Sequence, residues 1–147
     1  VEALPDGVAF GGAADACFDE EGVLWVAYAP DPDQAAHWRI ADILSCEMRS
    51  LTLNSRLFGN LERCFRPLPG GHLLWYPAAF DPASEDSVRA LVPEKRRWAV
   101  SPEEADRLAC ASLLAGRNLL MPYASEPTLV WLRERGLMPE VVPMPEM

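Results

Sequence analysis

Histidine is scarce in this chain, and the two present, His37 and His72, stand far apart. No Cys-x-x-Cys pair accompanies them, because Cys17, Cys46, Cys64 and Cys110 are scattered along the sequence. A zinc site needs Cys and His clustered at ligand spacing, which this pattern does not provide. A calcium loop needs oxygen donors at alternating positions around a Gly, and neither Asp31-Pro32-Asp33 nor Glu103-Glu104 has that form. The expectation is therefore no metal and no other cofactor. Basic charge is also short: 13 Lys and Arg face 22 Asp and Glu, for a formal net charge of -9. Nucleic acids and anionic membranes are polyanions bound through basic patches, so neither is expected as a partner. The one basic run, Lys95-Arg96-Arg97, reads as a solvated edge between a proline turn and a strand. No apolar run approaches the ~18 residues of a membrane span. The opening Val1-Glu2-Ala3-Leu4-Pro5-Asp6 lacks a basic start followed by an apolar block, so a cytoplasmic location is expected.

Core-forming material is plentiful. Half of the 147 residues are apolar and five are Trp, which suits one ordinary globular domain over residues 1–147. Trp25, Trp38, Trp75, Trp98 and Trp131 mostly fall inside apolar runs, so packing is favoured over a stacking platform. Three of the four cysteines also lie in apolar runs and read as reduced core thiols.

The same order of elements recurs three times. Ala16 to Phe18 and Val23 to Tyr28 read as strands around the turn Asp19-Glu20-Glu21-Gly22, Gln34 to Leu44 as a helix, and Ser50 to Leu53 as a closing strand. Leu61 to Leu68, His72 to Tyr76, Ser84 to Leu91 and Arg97 to Val100 repeat that order around Pro69-Gly70-Gly71. Leu108 to Leu114, Asn118 to Met121, Glu126 to Arg135 and Val141 to Met144 repeat it again, with Gly136 as the helix stop. The expected class is α/β, built from three strand-strand-helix-strand units over approximately 15–53, 61–100 and 108–144. A period of about 46 residues lies in the range of propellers and other repeat architectures. One local signal conflicts with this frame: Ser101-Pro102-Glu103-Glu104 has capping-box spacing and predicts a short helix just before the strand placed at Leu108.

Particular stretches carry a family resemblance. Phe10-Gly11-Gly12-Ala13-Ala14-Asp15 resembles the Phe-Glu-Gly-x-Gly-Asp strand pair of the guanidine-modifying enzymes, the superfamily of arginine deiminases, dimethylarginine hydrolases and glycine amidinotransferases. Asn60-Leu61-Glu62-Arg63-Cys64-Phe65, with the later Tyr76-Pro77-Ala78-Ala79-Phe80, resembles its His-Leu-Asp-Thr-Cys-Phe block and the segment beyond. Ala109-Cys110-Ala111 is similar to its Ala-Cys-Asn strand. The resemblance implies part of the five-unit α/β propeller called the pentein fold, and three units are expected here. It also implies that the family's nucleophilic Cys would follow in a Gly-rich segment beyond Met147.

Chemistry at a guanidinium carbon needs a thiolate, a proton-moving His and carboxylates that hold the planar cation. Residue by residue, the resemblance places the catalytic carboxylate at Gly11 or Gly12 and the catalytic His at Asn60. It places the substrate-side Asp at Glu62 and a substrate-side Arg near Asp31. Asn60 hydrogen-bonds but does not cycle a proton near neutral pH. No catalytic residue is assigned, and Asp15, Asn60 and Glu62 are the candidate ligand-binding residues for a guanidino or amidine compound. Each also has a structural reading: Asp15 as a turn-fixing carboxylate, Asn60 as a loop former, and Glu62 as a solvent-facing strand residue paired with an Arg. Cys64 and Cys110 read as structural rather than nucleophilic.

Two functions follow. The first is a degenerate, non-catalytic homologue acting as a binding or assembly module, whose exposed edges call for self-association or a partner chain. The alternative is an incomplete portion of an arginine or amidine hydrolase or amidinotransferase whose nucleophile lies outside this chain.

Overall fold

The computed structural model describes residues 16–28, 46–54 and 60–143. Asp15, Gly11, Gly12, Asp31, Trp38 and the helix expected over Gln34 to Leu44 lie outside the described residues.

Three three-stranded sheets follow one another, each an antiparallel hairpin extended by a parallel strand. In the first, β1 (Ala16–Phe18) pairs with β2 (Leu24–Tyr28), and β3 (Met48–Thr52) lies parallel to β2. Asp19 fixes the hairpin, its Oδ1 accepting the Glu21 and Val23 N–H groups at 2.9 and 3.0 Å and its Oδ2 accepting the Trp25 indole N–H at 3.0 Å. A short carboxylate reaches its own turn in this way, which is why Asp favours such positions.

The second sheet joins β4 (Phe65–Leu68), β5 (His72–Trp75) and β6 (Arg97–Ala99). The crossover from β5 to β6 is helix α1 (Pro82–Leu91). Asp81 caps it by accepting the Ser84 N–H at 2.8 Å, and Pro82 starts it where a missing N–H costs nothing. The third sheet joins β7 (Leu113–Ala115), β8 (Asn118–Met121) and β9 (Met138–Val141), and helix α3 (Glu126–Glu134) is the crossover from β8 to β9. A short helix α2 (Pro102–Asp106) precedes this unit and carries the full capping box between Ser101 and Glu104.

Three expected boundaries move. The stretch Leu61 to Leu68 is not one strand: Leu61–Arg63 is a 3-10 turn, and pairing begins only at Phe65. The strand expected from Leu108 starts at Leu113, because α2 and its exit occupy the preceding residues and Leu108 itself has φ 64°. That left-handed conformation breaks any strand. The last strand is Met138–Val141 rather than Val141 to Met144. Gly136 at φ 81° reverses the chain after α3, and the Met138 N–H reaches the Arg117 carbonyl at 2.7 Å, so pairing starts at once.

Most of the buried apolar residues of the three units form one continuous cluster. Phe65 lies 5.0 Å from Trp25 of the first unit and 6.2 Å from Phe80, which in turn lies 6.0 Å from Trp75. Backbone bonds close the same seam, with the Asp81 N–H on Thr52 O at 3.0 Å and the Asn54 N–H on Ala79 O at 2.8 Å. Between the second and third units, Trp98 donates to Thr128 Oγ1 at 2.8 Å and stacks 5.7 Å from Trp131. The third sheet keeps Leu113, Met138 and Val141 exposed.

Candidate functional site

Asn60 is the extended residue (φ -125°, ψ 140°) that leads into the Leu61–Arg63 turn. Buried Leu61 anchors that turn in the core, the Arg63 N–H returns to Asn60 O at 3.2 Å, and the Cys64 N–H returns to Leu61 O at 3.0 Å. Asn60 is half-buried and Glu62 is exposed. Glu62 is therefore not a residue of an alternating strand, and its carboxylate sits on a turn at the entry end of β4. β1 packs beside this turn. Asp15 is outside the described residues, so of the three candidates the structure places Asn60 and Glu62.

The thiols near this end are held as thiols. Burial pushes Cys17 up to about 12, with the Arg66 charge pulling it back and Asp19 adding to the rise. Burial also raises Cys64 to about 12, assisted by the neighbouring Cys17. Cys110 is raised well above the ordinary range by burial, with Cys64 and Glu104 adding to the rise and Arg66 opposing it. The Cys64 Sγ–H points at Leu61 O and Asn60 O, at 3.6 and 3.8 Å, and that of Cys110 at Leu74 O, at 3.8 Å. A thiolate is the nucleophile, so these three are poor candidates at neutral pH.

Glu104 has more partners than its capping box implied. Beyond the Ser101 N–H at 3.1 Å, its other oxygen accepts the Ser125 N–H at 3.1 Å, and Thr128 also bonds to it. Burial alone would raise this carboxyl, but the combined hydrogen bonds from Thr128, Ser125 and Ser101 outweigh it and hold it below the usual glutamate value. This carboxylate ties α2 to α3 and is structural.

Two concavities among the described residues had no signal in the sequence. A cleft of about 180 Å³ opens between the first and second units at the hairpin-turn end, floored by Trp25, Phe65, Leu73 and Val92 and rimmed by Glu21 and Arg96. A shallower groove runs over Trp98, Pro127, Val130 and Trp131. Neither is lined by Asn60 or Glu62. Among the described residues, no cluster of three or more His, Cys, Asp or Glu is placed to hold a metal ion.

Known proteins match this geometry. The chain is 35% identical over 144 residues to the bifunctional arginine dihydrolase/ornithine cyclodeaminase ArgZ of Synechocystis, covering 97% of this chain. The solved N-terminal domain of ArgZ, an arginine dihydrolase of cyanobacteria captured as a cysteine variant bound to substrate, superposes with a TM-score of 0.91 over 95% of this chain at 35% identity. The chain belongs to the guanidine-modifying, pentein-fold superfamily. The superfamily's dimethylarginine dimethylaminohydrolase of Mycobacterium tuberculosis is 29% identical over 136 residues, which is 92% of this chain. No family model matches the chain. It spans 20% of the full length of ArgZ, 52% of the solved ArgZ domain and 44% of the mycobacterial enzyme. The three three-stranded sheets are thus pentein units.

Proposed function

We propose that this chain is part of an arginine- or amidine-processing domain, the part that holds the guanidino group while the attacking thiolate comes from outside it. The observation that carries this reading is the joint one of 35% identity and 0.91 TM-score to an arginine dihydrolase domain of which the chain spans 52%. The burial of Cys17, Cys64 and Cys110 supports it, because each is protonated at neutral pH and none is suited to attack a guanidinium carbon. In this reading Asp15 and Glu62 supply carboxylates that pair with the planar cation, and Asn60 offers a neutral donor and acceptor beside them.

Glycine at Gly11 and Gly12 and Asn60 in place of a His favour a second reading, a binding module in which the holding function persists without turnover. The same experiment separates the two. Arginine, agmatine and methylarginines are added to a longer protein that contains this chain and the Gly-rich cysteine segment, following both heat stability and release of ammonia or citrulline. Turnover abolished by alkylating that cysteine supports the hydrolase reading. A saturable stabilisation without turnover, lost in Glu62→Ala, supports the binding module. Neither effect, in a folded protein, rejects both.

A further inference from the structure

We propose that the cleft between the first and second units binds one small apolar α-amino acid, with its carboxylate on Arg96 and its ammonium group toward Glu21. The cleft lies at the turn end of the two hairpins, whereas Asn60 and Glu62 lie at the entry end of β4, so it is a separate site.

Its charged groups fall into two sets. Asp19 is consumed by the Glu21 and Val23 N–H groups and by the Trp25 indole. Glu20 is held by one oxygen, Oε2, which accepts the Gly70 N–H at 2.6 Å and clamps the first hairpin turn to the second, and Glu47 is paired with Arg49. The His72 Nδ1–H donates to Pro69 O at 2.8 Å. Glu21 and Arg96 remain. Among the described residues neither side chain has a charged partner or a hydrogen bond, and both line the cleft.

The position of Arg96 is built. It ends a 3-10 turn, Glu94–Arg96, that follows α1, and its side chain runs close to Gly71 of the second hairpin turn. A Cβ on Gly71 would stand 3.2 Å from Arg96 Nη1, so this approach depends on glycine there. Gly71 also has φ 73°, a conformation that side chains rarely adopt. A planar guanidinium so placed suits a carboxylate, which it takes through two parallel N–H bonds.

Size and floor narrow the ligand further. About 180 Å³ is below the ~300–1,000 Å³ typical of sites for drug-sized molecules, and leaves no room for a peptide helix. Trp25, Phe65, Leu73 and Val92 offer hydrocarbon and ring faces rather than hydrogen-bonding groups, so the side chain that fits is apolar. A ligand seated there touches both units and stabilises their seam by binding only the docked arrangement.

The Trp25 indole N–H, which forms part of this wall, is the reporter. Leucine and phenylalanine are titrated into the nitrogen-15-labelled chain, with 4-methylpentanoate and isoamylamine as the matched acid and amine. The expected result is a saturable shift of the Trp25 resonance with the amino acids, weaker binding of both half-ligands, and affinity roughly tenfold or more lower in Arg96→Ala. Arg96 is exposed, so this variant keeps its fold. Gly71→Ala, which pushes the guanidinium aside, lowers the affinity as well. Absence of a saturable shift, equal affinity in Arg96→Ala, or a response to arginine alone overturns the proposal. Glu62→Ala retains the leucine response, which separates this site from the guanidino-holding one.

Discussion

The Glu104 carboxylate accepts the backbone N–H of Ser125, 21 residues further along the chain, at 3.1 Å. With its other oxygen on the Ser101 N–H, it joins the start of α2 to the start of α3. Thr128 extends the link to the Trp98 indole on β6. Glu104→Gln keeps the shape but removes the charge and one acceptor, and destabilises the chain by roughly 1–3 kcal/mol. The sign of its pH dependence follows from a lowered folded value. Its contribution is complete above the ordinary 4.5 and is lost as pH falls through the folded value. Urea unfolding at neutral and acid pH checks this, since wild type and Glu104→Gln converge in acid.

The buried thiols titrate in the opposite sense. Cys17 and Cys64 are raised from 9.0 to about 12, so their contribution is complete below 9.0 and is lost as pH climbs toward about 12. In that window each thiol lowers stability by about 1.4 kcal/mol per pH unit, because the unfolded chain ionises and the folded one does not. Cys64→Ala reduces this slope by one thiol's share. Iodoacetamide at mildly alkaline pH labels Cys64 and Cys110 only as fast as the protein unfolds, read by peptide mass spectrometry. Rapid native labelling of either contradicts their burial.

Phe65 is the ring that joins the first unit to the second, packed on both Trp25 and Phe80. Phe65→Ala costs about 3–5 kcal/mol, since the site is walled by rings that cannot collapse to fill it. A thermal melt measures the loss. A cost under about 1 kcal/mol shows that the seam does not depend on this contact.

Asp19→Ala leaves two turn N–H groups and the Trp25 indole without their acceptor. A loss of roughly 1–3 kcal/mol is expected, together with a shift of the Trp25 indole resonance. An unmoved resonance contradicts the Asp19–Trp25 bond.

Asn60→His returns a proton carrier to the position where the superfamily's His is expected. In a longer protein that supplies the cysteine, turnover of arginine rises by roughly 10²- to 10⁴-fold over the Asn60 form if a general acid or base is all that is missing. Unchanged turnover shows that the Gly11-Gly12 substitution is limiting as well.

Local residues made several elements legible. Ser101-Pro102 starts a helix and Gly136 stops one through caps that act within a few residues, and Pro69-Gly70-Gly71 forces a hairpin turn whatever surrounds it. Adjacent apolar runs then read as paired strands, and the strand-strand-helix-strand order follows. Boundaries were harder where local signals competed. Leu61 to Leu68 has strand composition throughout, yet Leu61 is pulled into the core and turns Glu62 and Arg63 outward before pairing begins. Pro139 and Glu140 have little strand character, yet they pair because Gly136 delivers the chain to β8 at that register. At the candidate site, the letters Gly11, Gly12 and Asn60 were readable in the sequence, while the exposure of Glu62 on a turn was not.

The sequence by itself determined the number of units, their hairpin turns and the helix caps, because each depends on the φ/ψ preferences and hydrogen-bonding reach of a few neighbouring residues. Only the tertiary structure decided which carboxylates are already spent and which charges stay open. Asp19, Glu20 and Glu104 find their partners across turns and unit seams, and among the described residues Glu21 and Arg96 do not. Hydrogen-bond partners far apart in the chain are fixed by packing of the apolar faces, and no local pattern records that outcome.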